Sequence, residues 1–483
     1  MQFNPTLAIS FLVYTAGIIT IGLYSSRLRR KTTDDFVLAN RELGPWASAL
    51  SASASAESGW VMLGLVGTAF TVGLSALWIM VGIGAGYLFN WFVIAERLRR
   101  STRESGAVTL VQFIAHRFGK GSPALRYIPV IIITAAMLGY VAAQMNAAGK
   151  AFEAVFSLPY WIGVLVGAGI ILAYTVTGGF RAVCWTDIVQ ATFMVVALIG
   201  MPVILAVKVG GYAEVVSRLS PSAPELFSFT GGRAGLALLG FVVGMLGIGL
   251  GYPGQPHVLA RFKAARDTAA IRRGRFISLS WFLLVYLGAI LFGLFARAYF
   301  GTLGDPEQAL PLACGEFLPP VIGGFVVAAI VSAICSTADS QLIVVSTILS
   351  RDVFGYARGA GGTEGTRYQA LDRWTLVILA LISVLFAVSE NRVIFTFVLY
   401  AWGVLGAAFG PVVILGLTWR KATKAGAIAG MVTGTAVAVV WKEISALSGV
   451  LYELVPAFVL AFLAVVVVSL LTQQARAESA GPN

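Results

Sequence analysis

The sequence predicts an all-α polytopic membrane protein of about thirteen transmembrane helices, and three observations predict it. Of its residues, 58% are hydrophobic and only 12% charged, against roughly 25% charged in a soluble domain. The apolar stretches are near-continuous over about 20 residues, the length that crosses a hydrocarbon core as a helix. They lack the period-two alternation of a membrane barrel, which leaves helices to satisfy every backbone group in lipid.

In chain order the predicted spans are 6–25, 46–70, 74–96, 127–153, 159–178, 186–208, 234–256, 277–298, 319–348, 373–389, 394–418, 425–441 and 451–471. The cations of the first run follow it, at Arg27, Arg29, Arg30 and Lys31. A cleavable signal peptide has the reverse order, so this is a retained span with the N-terminus outside. That layout puts roughly 27 of the 34 Lys and Arg on inner segments, Arg261 and Lys263 among them, as the positive-inside rule requires. The C-terminus is then cytoplasmic. The net charge of +12 reads as topology rather than nucleic-acid binding, with some attraction to anionic lipid headgroups. Segment 107–118 is amphipathic and suits the membrane surface, with His116 interfacial rather than a ligand. Segment 357–366 reads as a flexible inner loop.

Three scattered cysteines (Cys184, Cys314, Cys335) and two histidines argue against a disulfide framework or a His/Cys metal site. No phosphate-binding loop or catalytic-triad spacing is present, so an enzyme has no support.

Two spans carry stretches that weaken a helix. "SASASAESGW" at 51–60 holds a carboxylate, Glu57, and "GIGLGYPGQPH" at 247–257 holds four glycines and two prolines. Interior glycine costs about 1 kcal/mol and proline about 3. Kinks in packed helices are one reading. The other uses spacing: the breaks fall in spans two and seven, five spans apart. Paired discontinuous helices at matching positions of two halves point to a transporter binding site. Span nine adds "AICSTADSQL", in which Ser336, Thr337 and Ser340 fall near one helical face. Oxygen ligands of this kind suit a hard cation.

The stretches "RELGPWASALSASAS", "SGWVMLGL", "AVCWTDIVQA", "GYPGQPHVLARF", "STADSQLIV", "YAWGVLGAAFGPVV" and "AGAIAGM" together resemble the sodium/solute symporter family, most closely its sodium/proline members. The resemblance covers nearly the whole chain. It implies a LeuT-type core of two inverted five-helix repeats, each with a broken first helix. One transporter domain would fill residues 1–483: span one peripheral, the repeats at 46–208 and 234–418, and peripheral helices at 425–471. It also implies alternating access with Na⁺ as coupling ion. The Na⁺ ligands would be the carbonyls of Ala54, Glu57 and Ala333 and the hydroxyls of Ser336 and Thr337. Asp187, Asp339 and Ser340 match a second cation site of some members; Asp187 could equally cap span six. The solute would lie near Ser58, Gly59, Trp60, Tyr140, Gln144, Tyr252 and Pro256, the tyrosines being possible packing aromatics.

Two positions depart from the sodium/proline pattern. Where those members read Ser-Asp-Met-Ser-Gly-Trp, this chain reads Ser55-Ala56-Glu57-Ser58-Gly59-Trp60, and Ile248 stands where they tend to have Trp. The implied function is secondary active symport of a small solute, proline or a related amino acid, with Na⁺. Proton coupling through Glu57 or Asp339, another solute, and a membrane solute sensor are the rivals; the short tail speaks against a sensor's output domain. No cofactor, nucleic acid or obligatory protein partner is implied. Glu57 is expected to pair with Na⁺, a proton or a solute amine, unless its side chain points into a wet vestibule.

Overall fold

The computed structural model describes residues 4–27, 33–355, 365–388 and 394–479. Among them, eleven helices are long and apolar enough to cross a membrane. Two of these hold two predicted spans each, which restores the thirteen. Pro45–Ser105 contains spans two and three, parted at Gly73, where φ is +61° and an added Cβ would lie 2.1 Å from the Leu226 carbonyl oxygen. Both the left-handed backbone and the close approach require glycine there. Tyr160–Val209 contains spans five and six and departs from helical geometry at Gly179 (φ 63°, ψ −159°). The predicted loop at 357–366 lies mostly outside the described residues.

Burial separates a core from a periphery. The most apolar windows of spans nine and eleven are 83% buried, against 33% for spans one and twelve and 28% for span thirteen. Lipid tails are as apolar as leucine, so a helix is drawn to the centre by close packing rather than by hydrophobicity. Span nine (Pro320–Ile348) has the small residues for it. A Cβ at Gly324 would meet Ser10 Cβ at 2.6 Å and the Leu7 carbonyl oxygen at 2.7 Å.

The amphipathic segment forms a helix, Leu110–Phe118, capped by Thr109, whose side chain accepts from the Gln112 N–H. It buries Leu110, Val111, Phe113, Ile114 and Phe118 and leaves His116 exposed. Thr109 also donates to Asp352 Oδ2 at 2.7 Å. This ties the helix to the end of span nine.

Candidate functional site

Both weakened stretches are breaks in the structure, and each is stabilised differently. The first helix runs Pro45–Gly59 and leaves helical geometry at Ser58 (φ 56°, ψ −175°), a region costing a non-glycine residue about 1–3 kcal/mol. The N–H groups freed by the break find local partners. Ser58 Oγ accepts from the Trp60 N–H at 3.0 Å, and Gln144 Oε1 accepts from the Gly59 N–H at 2.9 Å. The second break, Ile248–Gly254, is a 3₁₀ stretch through Pro253, followed by Gln255 in extended conformation. Its freed carbonyls are met by side chains. Trp402 Nε1 donates to the Ile248 carbonyl at 2.9 Å, Gln255 Nε2 to that of Gly251 at 3.2 Å, and Asn90 Nδ2 to that of Tyr252 at 3.3 Å. Unwound backbone at membrane depth persists where protein satisfies it in this way.

On one flank of the first break, the Pro45–Gly59 helix presents a cluster of oxygens to span nine. Ser336 Oγ donates to the Ala54 carbonyl at 3.0 Å and lies 3.1 Å from that of Ala333. Thr337 Oγ1 donates to the Ser55 carbonyl at 2.9 Å and lies 3.4 Å from that of Ala54. This neutral set of carbonyls and hydroxyls fits a hard, weakly held cation. Four of the five predicted ligands are thereby brought together. The fifth, the Glu57 carbonyl, accepts from the Trp60 N–H. Ser55, which sequence reasoning passed over as a ligand, contributes its carbonyl to the cluster.

On the other flank lies a small cavity of about 10 Å³, bounded by Ala56, Glu57, Trp60, Ile83, Tyr140, Ile248, Tyr252, Val398, Leu399 and Trp402. The Glu57 side chain is 1% exposed, so the wet-vestibule reading is overturned. Its Oε1 accepts from Tyr87 at 2.7 Å and Tyr252 at 2.6 Å, and its Oε2 accepts from Tyr286. The tyrosine at 252 is therefore a carboxylate donor rather than a mere packing ring. Ser58, Gly59 and Gln144 adjoin the pocket through the break itself. Pro256 lies apart: it lines a different cavity with Val108, Ala260, Lys263 and Thr347. A larger cavity of about 530 Å³ shares Ile248 and Leu399 with the pocket and has Arg233, Lys442 and Glu453 in its wall.

The predicted second cation group is also assembled, with an occupant. Asp187 and Ser340 both bond Arg261, and Asp339 accepts from Tyr174 at 2.6 Å. Asp187 bonds Ser51 and Arg261 inside the bundle, so it is no helix cap. Arg261, counted above as an inner-surface cation, is 0% exposed.

A match to the sodium:solute symporter family spans residues 36–434. The chain belongs to that family. It is 37% identical over 463 residues to a high-affinity proline transporter of Bacillus subtilis, covering 94% of this chain and 96% of the relative. It is 36% identical to the sodium/proline symporter of Escherichia coli, covering 98% and 94%. Among solved structures, a Na⁺-coupled sialic acid symporter in a substrate-bound outward-open state superposes with a TM-score of 0.82 at 18% identity, covering 97% of this chain and 98% of that one. The symporter fold is thus LeuT-type, and the protein is an integral membrane transporter, not an enzyme.

Ile83 and Trp402, which line the cavity, and Tyr87 and Tyr286, which bond Glu57, are residues that sequence reasoning missed. Each sits in an apolar run where an aromatic or aliphatic side chain carries no distinguishing signal; only the tertiary fold brings them to Glu57.

Proposed function

We propose that the protein imports proline, or a closely related amino acid, together with Na⁺. The observation that carries this reading is that one broken helix bears two different sites. Its Ala54–Ser55 carbonyls face the hydroxyls of span nine, and its Glu57 carboxylate faces an aromatic pocket. Na⁺ binds among Ala54, Ala333, Ser336 and Thr337, with Ser55 added and Glu57 contributing through its backbone at most. In that site the two hydroxyls turn their lone pairs, rather than their hydrogens, toward the ion.

The solute sits between Trp60, Tyr140, Ile248 and Tyr252. The space among these side chains is about 10 Å³, far below the roughly 300–1,000 Å³ of most ligand pockets, so a solute of amino-acid size enters only as the lining side chains move apart. Glu57 supplies the counter-charge for the solute amine. Gln144 Nε2, which has no hydrogen-bond partner among the described residues, donates to its carboxylate. The two repeats are 46–208 and 234–418, with span one and 425–471 peripheral; the N-terminus is outside and the C-terminus cytoplasmic.

Coupling is linkage: each ligand orders the same helix and so raises affinity for the other. A charge crossing 100 mV yields about 2.3 kcal/mol, and a tenfold Na⁺ gradient about 1.4. Together, roughly 3.7 kcal/mol supports accumulation of several hundredfold.

Uptake of labelled proline into proteoliposomes tests the proposal. It should require an inward Na⁺ gradient and be outcompeted by unlabelled proline ahead of other amino acids. Equal uptake driven by a pH gradient without Na⁺, or no competition by proline, would contradict it.

A further inference from the structure

Arg261 comes from the short helix Pro256–Ala264 that follows the second break, and its guanidinium points into the bundle. Nε donates to Ser51 Oγ at 2.9 Å and Nη1 to the His257 carbonyl at 2.8 Å. Nη2 donates both to Asp187 Oδ2 at 3.1 Å and to Ser340 Oγ at 2.5 Å. The Phe180 ring covers it at 4.9 Å. Every residue in this shell is buried. The fork geometry of arginine matches such a fixed set of acceptors.

The position matters as much as the contacts. Ser340 Oγ also lies 3.1 Å from Asp339 Oδ1, 2.6 Å from the Ser336 carbonyl and 3.0 Å from Ser55 Oγ. One serine thus joins the guanidinium to the oxygen cluster of span nine. Asp187, Asp339 and Ser340 are the oxygen donors that would make a second cation site, and Nη2 lies within hydrogen-bonding distance of two of them. A free ion cannot share that place with a guanidinium nitrogen, by overlap and by like-charge repulsion.

Two buried carboxylates face one arginine here. Of the four carboxylate oxygens, Asp187 Oδ1 has no hydrogen-bond partner among the described residues. Leaving both acids without the arginine would strand charge in a medium that solvates it poorly, unless another cation entered.

We propose that Arg261 is a tethered cation that fills the inner cation position, so that this symporter binds and carries a single Na⁺ per cycle. The inference rests on the reading that the oxygen cluster at Ser336 and Thr337 takes Na⁺, but not on the solute being proline. Arg261 acts as a positioning residue: it holds Asp187, Ser51 and Ser340 in place beside the Na⁺ site without touching that ion.

The test is the number of Na⁺ ions bound at saturation by the purified full-length protein, read with radiolabelled Na⁺ and no solute. Wild type should bind one per chain, with a Hill coefficient of one. Arg261→Gln frees the acids and should bind two, with a Hill coefficient approaching two. The double variant Arg261→Gln/Asp187→Asn should return to one. Two ions in wild type, or one in Arg261→Gln, would overturn the inference. Where Arg261→Gln fails to fold, the wild-type count and Arg261→Lys, expected to keep a count of one, still decide it. Binding of no Na⁺ at all would remove the sodium reading itself and the inference with it, whereas one Na⁺ without proline uptake would remove only the choice of solute.

Discussion

The two flanks of the Pro45–Gly59 helix are built from opposite chemistry. Toward span nine it offers carbonyls to neutral hydroxyls. Toward the other side it offers a buried carboxylate to three phenols. A neutral oxygen set holds a cation only as tightly as its dipoles allow, which suits an ion that must leave again. A buried carboxylate held by three donors is fixed in direction and needs a charged partner, which suits recognition of an amine. On the proposed reading, one face would set how much Na⁺ is needed and the other which solute is taken.

The largest effect should come from the charged flank. Glu57→Gln keeps the shape and removes the charge, and it should abolish Na⁺-stimulated uptake at every pH. Normal transport by this variant with wild-type Na⁺ dependence would leave the carboxylate without a role. On the neutral flank, Thr337→Ala and Ser336→Ala should each raise the Na⁺ concentration for half-maximal uptake by about tenfold, since a lost ligand is worth about 1.4 kcal/mol. Their solute competition profile should match wild type; a changed ranking would mean that the two faces are not separate. Tyr87→Phe deletes one of the three donors to Glu57 and should weaken solute binding by about tenfold, in line with about 1.5 kcal/mol for a hydrogen bond to a charged group. Equilibrium binding of labelled proline reads it, and an unchanged affinity would remove Tyr87 from the pocket's support. The mildest change is Ile248→Trp, which should reorder competitors while moving the Na⁺ requirement by less than about twofold. An unaltered competition series would place the solute elsewhere.

How much of this was legible in the sequence follows from what each signal rests on. The thirteen spans and the two breaks were readable because hydropathy and glycine or proline cost act locally. Ser336 and Thr337 were readable as part of one polar face of span nine, whereas the Ala54 and Ala333 carbonyls came only with the family resemblance, since nothing local marks a backbone carbonyl as a ligand. The phenols at 87, 252 and 286 were not readable as a group, being separated by more than thirty residues at the closest, since the fold alone decides which tyrosine meets a carboxylate. Arg261 was misread outright. A cation near the predicted end of a span resembles a positive-inside residue, and nothing local distinguishes one that turns inward to Asp187. Pro256 was placed in the solute pocket with its neighbours in the second break; the chain turns extended at Gln255 and carries it to another cavity.

The central claim is that ion and solute sites share one helix, and reciprocal linkage tests it most directly. Proline affinity of the purified protein should be measured in Na⁺ and in K⁺, and Na⁺ affinity with and without proline. The account predicts that Na⁺ tightens proline binding, that proline tightens Na⁺ binding by the same factor, and that Thr337→Ala needs more Na⁺ to reach the same proline affinity. Proline affinity that is equal in Na⁺ and K⁺ would contradict it.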